Sequence, residues 1–127
     1  MKKLFLITSF LLLCVVVQAQ TFVCTDVDYS GAPEKQQREK TLLLGSKATL
    51  AIFDRSIKIT TVDNRGSSET FVLDKTNDNE YQYSEYKQKH KWRMVIKLHK
   101  WAAYIKSLTI EVYKDYSLQG KATYKRD

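Results

Sequence analysis

Residues 48–62 constrain this chain more than any other stretch. They read Ala48-Thr49-Leu50-Ala51-Ile52-Phe53, a polar break at Asp54-Arg55-Ser56, then Ile57-Lys58-Ile59-Thr60-Thr61-Val62. Two β-branched runs around a short break spell a β-hairpin. Leu50 and Ile52 share one face of the first run, with Ala51 and Phe53 on the other. In the second run Ile57 and Ile59 oppose Lys58 and Thr60. Successive side chains of a strand alternate between faces, so each run offers one apolar side to a core.

The rest of the chain repeats this pattern. Phe22, Cys24, Val27 and Tyr29 mark a first strand with an irregularity near Thr25-Asp26. Ser30-Gly31-Ala32-Pro33 stops it, and residues 34–40 are wholly polar. Pro33 suits a first helical position, but the segment has no apolar stripe. The expectation is therefore a mobile loop, with a short solvated helix as the alternative. Residues 41–45 are apolar and are read as leading into the next strand. After the hairpin, Phe71 and Leu73 oppose Thr70 and Val72, and Tyr81 and Tyr83 oppose Gln82 and Ser84. Residues 92–98 alternate most cleanly, with Trp92, Met94, Ile96 and Leu98 on one face and Arg93, Val95 and Lys97 on the other. Leu108, Ile110 and Val112 repeat it, and Ala122 and Tyr124 carry the last strand. Between them, Trp101, Tyr104, Ile105 and Leu108 have helical spacing, so one helical turn competes there with a continued strand and loop. About eight strands with short connections predict an all-β fold: an antiparallel meander, closed into a small barrel or folded as a β-sandwich.

Residues 1–19 read as a signal peptide rather than as part of the fold. Lys2 and Lys3 precede a nearly unbroken apolar run, and Val17-Gln18-Ala19 offers small residues for cleavage before Gln20. The run is short for a membrane-spanning helix, which needs about 20 residues. This predicts export, to the periplasm or beyond, of a single domain at residues 20–127. Neither Leu13 before Cys14 nor Val23 before Cys24 suits lipid attachment. Cys24 is then the one remaining thiol, which rules out an internal disulfide framework. Its neighbours Phe22, Val23 and Val27 make it a small buried residue of the first strand.

The formal charge is +7, of which Lys2 and Lys3 supply two. The remainder is uneven. Residues 20–86 hold 8 Lys/Arg and 11 Asp/Glu, whereas residues 87–127 hold 11 and 3. Lys89, Lys91, Arg93 and Lys97 would share one strand face. That stripe suits an envelope protein, an acidic glycan or a lipid headgroup; export argues against nucleic acid. A solvated outer face, protected from edge pairing by its lysines, is the plainer account.

The order of segments resembles that of short exported β-rich proteins of Gram-negative bacteria. The resemblance rests on Thr21-Phe22-Val23-Cys24, Ile52-Phe53-Asp54 leading to Ile57-Lys58-Ile59, Glu80-Tyr81-Gln82-Tyr83, and Leu108-Thr109-Ile110-Glu111-Val112-Tyr113. It implies an all-β fold and no particular activity. The outline is also similar to that of a lipocalin, without the Gly-x-Trp of that family's first strand; the first Trp here is Trp92.

No motif fixes a chemistry. His90 and His99 lie nine apart among lysines, without metal-ligand spacing, so neither a metal nor a cofactor is expected. No serine sits in a Gly-x-Ser-x-Gly setting, and Glu80, Glu85 and Glu111 read as strand-face carboxylates. A hydrolase is the weakest alternative. Eight tyrosines and two tryptophans are many for this length. Small barrels usually fill themselves with such side chains. The functional alternative is an aromatic pocket for a small ligand, built from Tyr81, Tyr83, Trp92 and Trp101. The sequence thus predicts a non-catalytic binding or interaction domain.

Overall fold

The computed structural model describes residues 19–127, so the predicted signal peptide lies outside the described residues apart from Ala19. Eight strands form an antiparallel meander in which every strand pairs with its neighbours in sequence, and β8 pairs back onto β1. The strands are β1 (Ala19–Asp28), β2 (Lys47–Ile52), β3 (Ser56–Val62), β4 (Ser68–Asn77), β5 (Glu80–Lys87), β6 (His90–Trp101), β7 (Tyr104–Lys114) and β8 (Ser117–Arg126). One helix, α1 (Pro33–Leu43), connects β1 to β2. Closure on β1 makes this a barrel rather than a sandwich and leaves no outer strand edge at that seam. Among the described residues no helix is long and apolar enough to cross a membrane.

The central hairpin folds as its alternation dictates. Leu50 faces Ile59 and Ile52 faces Ile57 across the β2–β3 ladder. Leu50, Ile57 and Ile59 are completely buried. They join Phe22, Leu73, Tyr81, Ile96, Leu108 and Tyr124 in one interior cluster. Burying each large aliphatic side chain contributes on the order of 2 kcal/mol. The irregularity near Thr25-Asp26 is a bulge: the β1–β8 register slips between Cys24 and Asp26. The slip keeps both Cys24 and Val27 in the core.

Two readings of the sequence need correction. Residues 34–40 form helix rather than a mobile loop, and the helix continues through Leu43 instead of joining residues 41–45 to β2. No residue of α1 is fully buried, so its anchors are hydrogen bonds more than an apolar stripe. Gln36 accepts from the Tyr29 N–H and donates to the Val27 carbonyl. At the other end, the Asn64 side chain donates to the carbonyls of Thr41 at 2.8 Å and Leu44 at 2.9 Å. The Asn64 N–H donates to the Leu42 carbonyl at 2.8 Å. A helix leaves its last carbonyls without internal partners, and here the β3–β4 loop supplies them. At residues 101–108 the structure takes the strand-and-loop alternative: β6 runs to Trp101, Ala102 at φ 56° reverses the chain, and β7 starts at Tyr104.

The two ends of the barrel differ. At the end holding Ala19 and Asp127, Arg126 closes the interior. Its guanidinium lies 5.7 Å from the Phe22 ring centre and 4.5 Å from that of Tyr104, and it donates to Gln20 Oε1 at 2.8 Å. At the opposite end α1 lies beside the loop following β3 and the turns that follow β5 and β7.

Candidate functional site

The inward-facing side chains are fully buried through most of the barrel but not near α1. There Phe71, Met94 and Tyr29 are only partly buried against the core. Two cavities open between them. The first, about 320 Å³, is lined by Phe71, Tyr83, Trp92, Met94 and Val112, with Glu85 and Lys87 at its rim. The second, about 300 Å³, lies toward α1 and is lined by Tyr29, Leu42, Leu43, Ile59 and Ile110, with Glu39, Asp63 and Glu69 contributing polar groups. Phe71, Met94 and Val112 border both, so the two are lobes of one hollow.

Pairing between β4 and β5 explains the opening of the first lobe. It runs from Asn77–Glu80 through Lys75–Tyr81 to Asp74–Gln82 and stops there. Both strands continue, β4 held by β3 and β5 held by β6. Across this seam the Phe71 and Tyr83 rings stand 6.2 Å apart at 54°. That geometry falls within the usual range for tilted aromatic pairs. Side chains rather than ladder hydrogen bonds therefore join the two strands beside the cavity.

Trp92 sits at the mouth of the first lobe. Its register partners are Glu85 on β5 and Lys114 on β7. The Lys114 ammonium lies 5.7 Å from the Trp92 ring centre, and that of Lys35, from the first turn of α1, lies 5.3 Å away. Cations near the face of an indole are attracted to its quadrupole. Glu85 accepts a hydrogen bond from the Tyr83 hydroxyl at 3.0 Å, which holds that phenol above its ordinary pKa.

The structure divides the predicted aromatic set. Tyr83 and Trp92 line the first lobe, whereas Tyr81 is 3% exposed inside the core and Trp101 is 73% exposed on the far end of β6. It also divides the basic set. Lys91, Arg93 and Lys97 do share the outer face of β6, but Lys89 stands in a turn with φ 68°. The Arg93 guanidinium covers the Tyr113 ring at 4.4 Å, and Lys97 pairs with Glu111 at 3.1 Å. The hydrogen bond that Lys97 donates to the Glu111 carboxylate, together with that carboxylate's charge, raises the Lys97 pKa. Two of the stripe's cations are thus already engaged by groups of the same face.

Phe71, Met94 and Val112 belong to the site although only their inward alternation was legible. Lys35 and Lys114 were missed altogether. The clue to Lys114 was its position two residues beyond Val112 on the same face. Lys35 carried no clue, because its place depends on how α1 docks.

Cys24 is buried, and desolvation pushes its thiol up to about 11. A thiol held in its neutral form is a poor nucleophile. Among the described residues no three His, Cys, Asp or Glu side chains are grouped as a metal site. A hydrogen bond between His90 Nδ1 and the Asp115 carboxylate ties the turn after β5 to the turn after β7. Asp115 also accepts from the Lys91 N–H at 3.0 Å, and these bonds hold its carboxyl below the usual carboxylate range.

Compared with known protein families, curated proteins and solved structures, the chain matches none.

Proposed function

We propose that this protein is a non-catalytic binding domain that holds a small, largely apolar ligand in the hollow beneath α1. The observation that carries this reading is the contrast along the barrel. Toward the Arg126 end the core is filled and a shallow, mostly polar cleft of about 680 Å³, lined by Gln20, Thr21, Tyr104 and Arg126, lies outside it, while the other end opens an apolar hollow around Phe71, Tyr83, Trp92, Met94 and Val112. A concave, mostly apolar cavity with a few polar groups at its rim is the usual form of a small-molecule site. The interrupted β4–β5 seam gives a ligand a way in without unfolding a ladder. The leader-like residues 1–19 support an exported, periplasmic or secreted setting for this role. The outer basic face is the weaker candidate for a partner, because Arg93 and Lys97 are engaged with Tyr113 and Glu111.

The two tryptophans allow a direct test. In Trp101→Phe, all indole emission comes from Trp92. Titration with decanol, 1-naphthol and 1-anilinonaphthalene-8-sulfonate should shift or quench that emission saturably. Filling the lobe with Val112→Trp in a Trp92→Phe background should remove the 1-anilinonaphthalene-8-sulfonate signal. Absence of a saturable response to any of the three by Trp101→Phe would sink the reading.

A further inference from the structure

We infer that the ligand is an amphiphile with a single anionic head group, seated over Trp92 between Lys35, Lys87 and Lys114, with its apolar body directed past Phe71 and Met94. This inference rests on the binding role proposed above and names the class of ligand for that site.

The lysines around Trp92 carry charge without partners. Lys35 and Lys114 both approach one indole ring, and Lys87 lines the same lobe. None of the three pairs with a carboxylate within 4.0 Å among the described residues, although Lys47, Lys75 and Lys97 each do. Among the described residues Glu85 is the only acidic group lining this lobe, and it accepts from Tyr83. The Lys35 and Lys114 ammonium groups share one indole ring and repel one another across it, and Lys87 adds a third positive side chain to the lobe that the ring borders. An anion placed among them relieves that repulsion and gains charge-assisted hydrogen bonds.

The opposite lobe carries carboxylates instead. Of its three carboxylates, Glu39 pairs with Arg38 at 3.2 Å, and Asp63 accepts from the N–H groups of Arg65 at 2.8 Å and Ser67 at 3.0 Å. Glu69 alone is uncommitted, and it is exposed. The second lobe thus keeps negative charge on Asp63 and Glu69, whereas the Trp92 side sets Lys35, Lys87 and Lys114 against Glu85 and is positive on balance. Each lobe has room for on the order of ten non-hydrogen atoms, at about 30 Å³ for a water-sized unit. That sets the apolar body at medium-chain length or one to two fused rings. A carboxylate, a sulfate or a phosphate monoester would each satisfy the lysines.

The test compares isosteric probes on the full domain. Decanoate, decanol and decyltrimethylammonium are titrated below their micellar concentrations, with Trp92 emission in Trp101→Phe as the readout. Decanoate should bind at least ten-fold more tightly than decanol. The double substitution Lys35→Gln and Lys114→Gln should cut that preference to about three-fold or less, by weakening decanoate more than decanol. Raising salt to about 1 M should narrow the preference in the same direction, since exposed charges are then largely screened. Equal affinity for decanoate and decanol overturns the head-group inference and leaves the binding role standing. Tighter binding of decyltrimethylammonium also overturns it, pointing to Glu69. Failure of all three probes removes the binding role and the inference together. A preference that survives the double substitution places the head group elsewhere and likewise overturns the assignment.

Discussion

Gly120 shows how the hollow is shaped by single residues. It lies on the inward face of β8, and a Cβ built there would come within 2.4–2.5 Å of the Tyr29 ring. Tyr29 therefore lies flat over a glycine, and it borders the second lobe. Its backbone is fixed, because its N–H donates to Gln36. In Gly120→Ala the ring has to move while the backbone stays, which is overpacking and costs about 1–3 kcal/mol. The urea midpoint should fall accordingly, and the second lobe should change shape; an unchanged midpoint would show that Tyr29 has a second position at no cost. Residue-scale legibility in this chain was uneven for a geometric reason. Alternation told which way Tyr81, Tyr83 and Trp92 point, but not how deep each sits. Two residues along a strand amount to about 7 Å. That distance separates Tyr81 in the core from Tyr83 at the mouth. Trp101, nine residues beyond Trp92 and past a register slip between His99 and Lys100, ends on the opposite rim. The left-handed backbone at Gln88, Lys89, Asp115 and Tyr116 was hidden for another reason: four residues with no glycine among them occupy turns where glycine and asparagine are favoured.

At the scale of elements, α1 decides whether the hollow is roofed. Its sequence is polar and lacks the stripe that docks most surface helices. For that reason residues 34–40 read as loop, and no argument from alternation or propensity could have placed Lys35 over Trp92. What holds α1 comes from distant residues: Gln36 reaching back to β1, and Asn64 reaching across from the loop after β3. Asn64 serves three carbonyls of the last helical turn, two through its side chain. Replacing it by alanine leaves those two bonds unmade, at about 1 kcal/mol for each. Because the loss is local to the roof, hydrogen exchange in residues 33–44 should accelerate by roughly ten-fold or more, while β6 and β7 keep their protection. Equal acceleration across the whole barrel would instead make α1 part of the global folding unit. The strands, by contrast, were legible almost residue by residue. Each buries one face against the same core, so hydrophobic alternation and tertiary position carry the same information.

For the molecule as a whole, closure withdraws the Cys24 thiol and the Tyr29 and Tyr124 hydroxyls from water, and this gives the barrel a characteristic response to alkali. Burial is the main cause in each case. It pushes the Cys24 thiol up to about 11, the Tyr29 hydroxyl up to about 12, and the Tyr124 hydroxyl higher still. In the unfolded chain these groups lose their protons near 9 and 10, so there the unfolded state binds fewer protons than the folded one. Stability that depends on the proton difference is complete below about pH 9 and declines as pH rises toward 12. The slope is about 1.4 kcal/mol per pH unit for each proton withheld. The urea midpoint should therefore hold steady to about pH 9, fall gently as Cys24 contributes alone, and steepen above pH 10 when the two tyrosines join. Cys24→Ala separates the contributions: it lowers stability at neutral pH by leaving a small cavity, yet delays the onset of alkaline loss to about pH 10. If wild type and Cys24→Ala lose stability with the same onset, the thiol does not sit in the desolvated interior that the β1 bulge creates for it. The same closure accounts for the site. A barrel that seals one end with Arg126 and roofs the other with a polar helix can leave its interior unfilled near that roof. Its β4–β5 seam, joined by Phe71 and Tyr83 rather than by a ladder, is the part of the wall that can part without breaking the sheet.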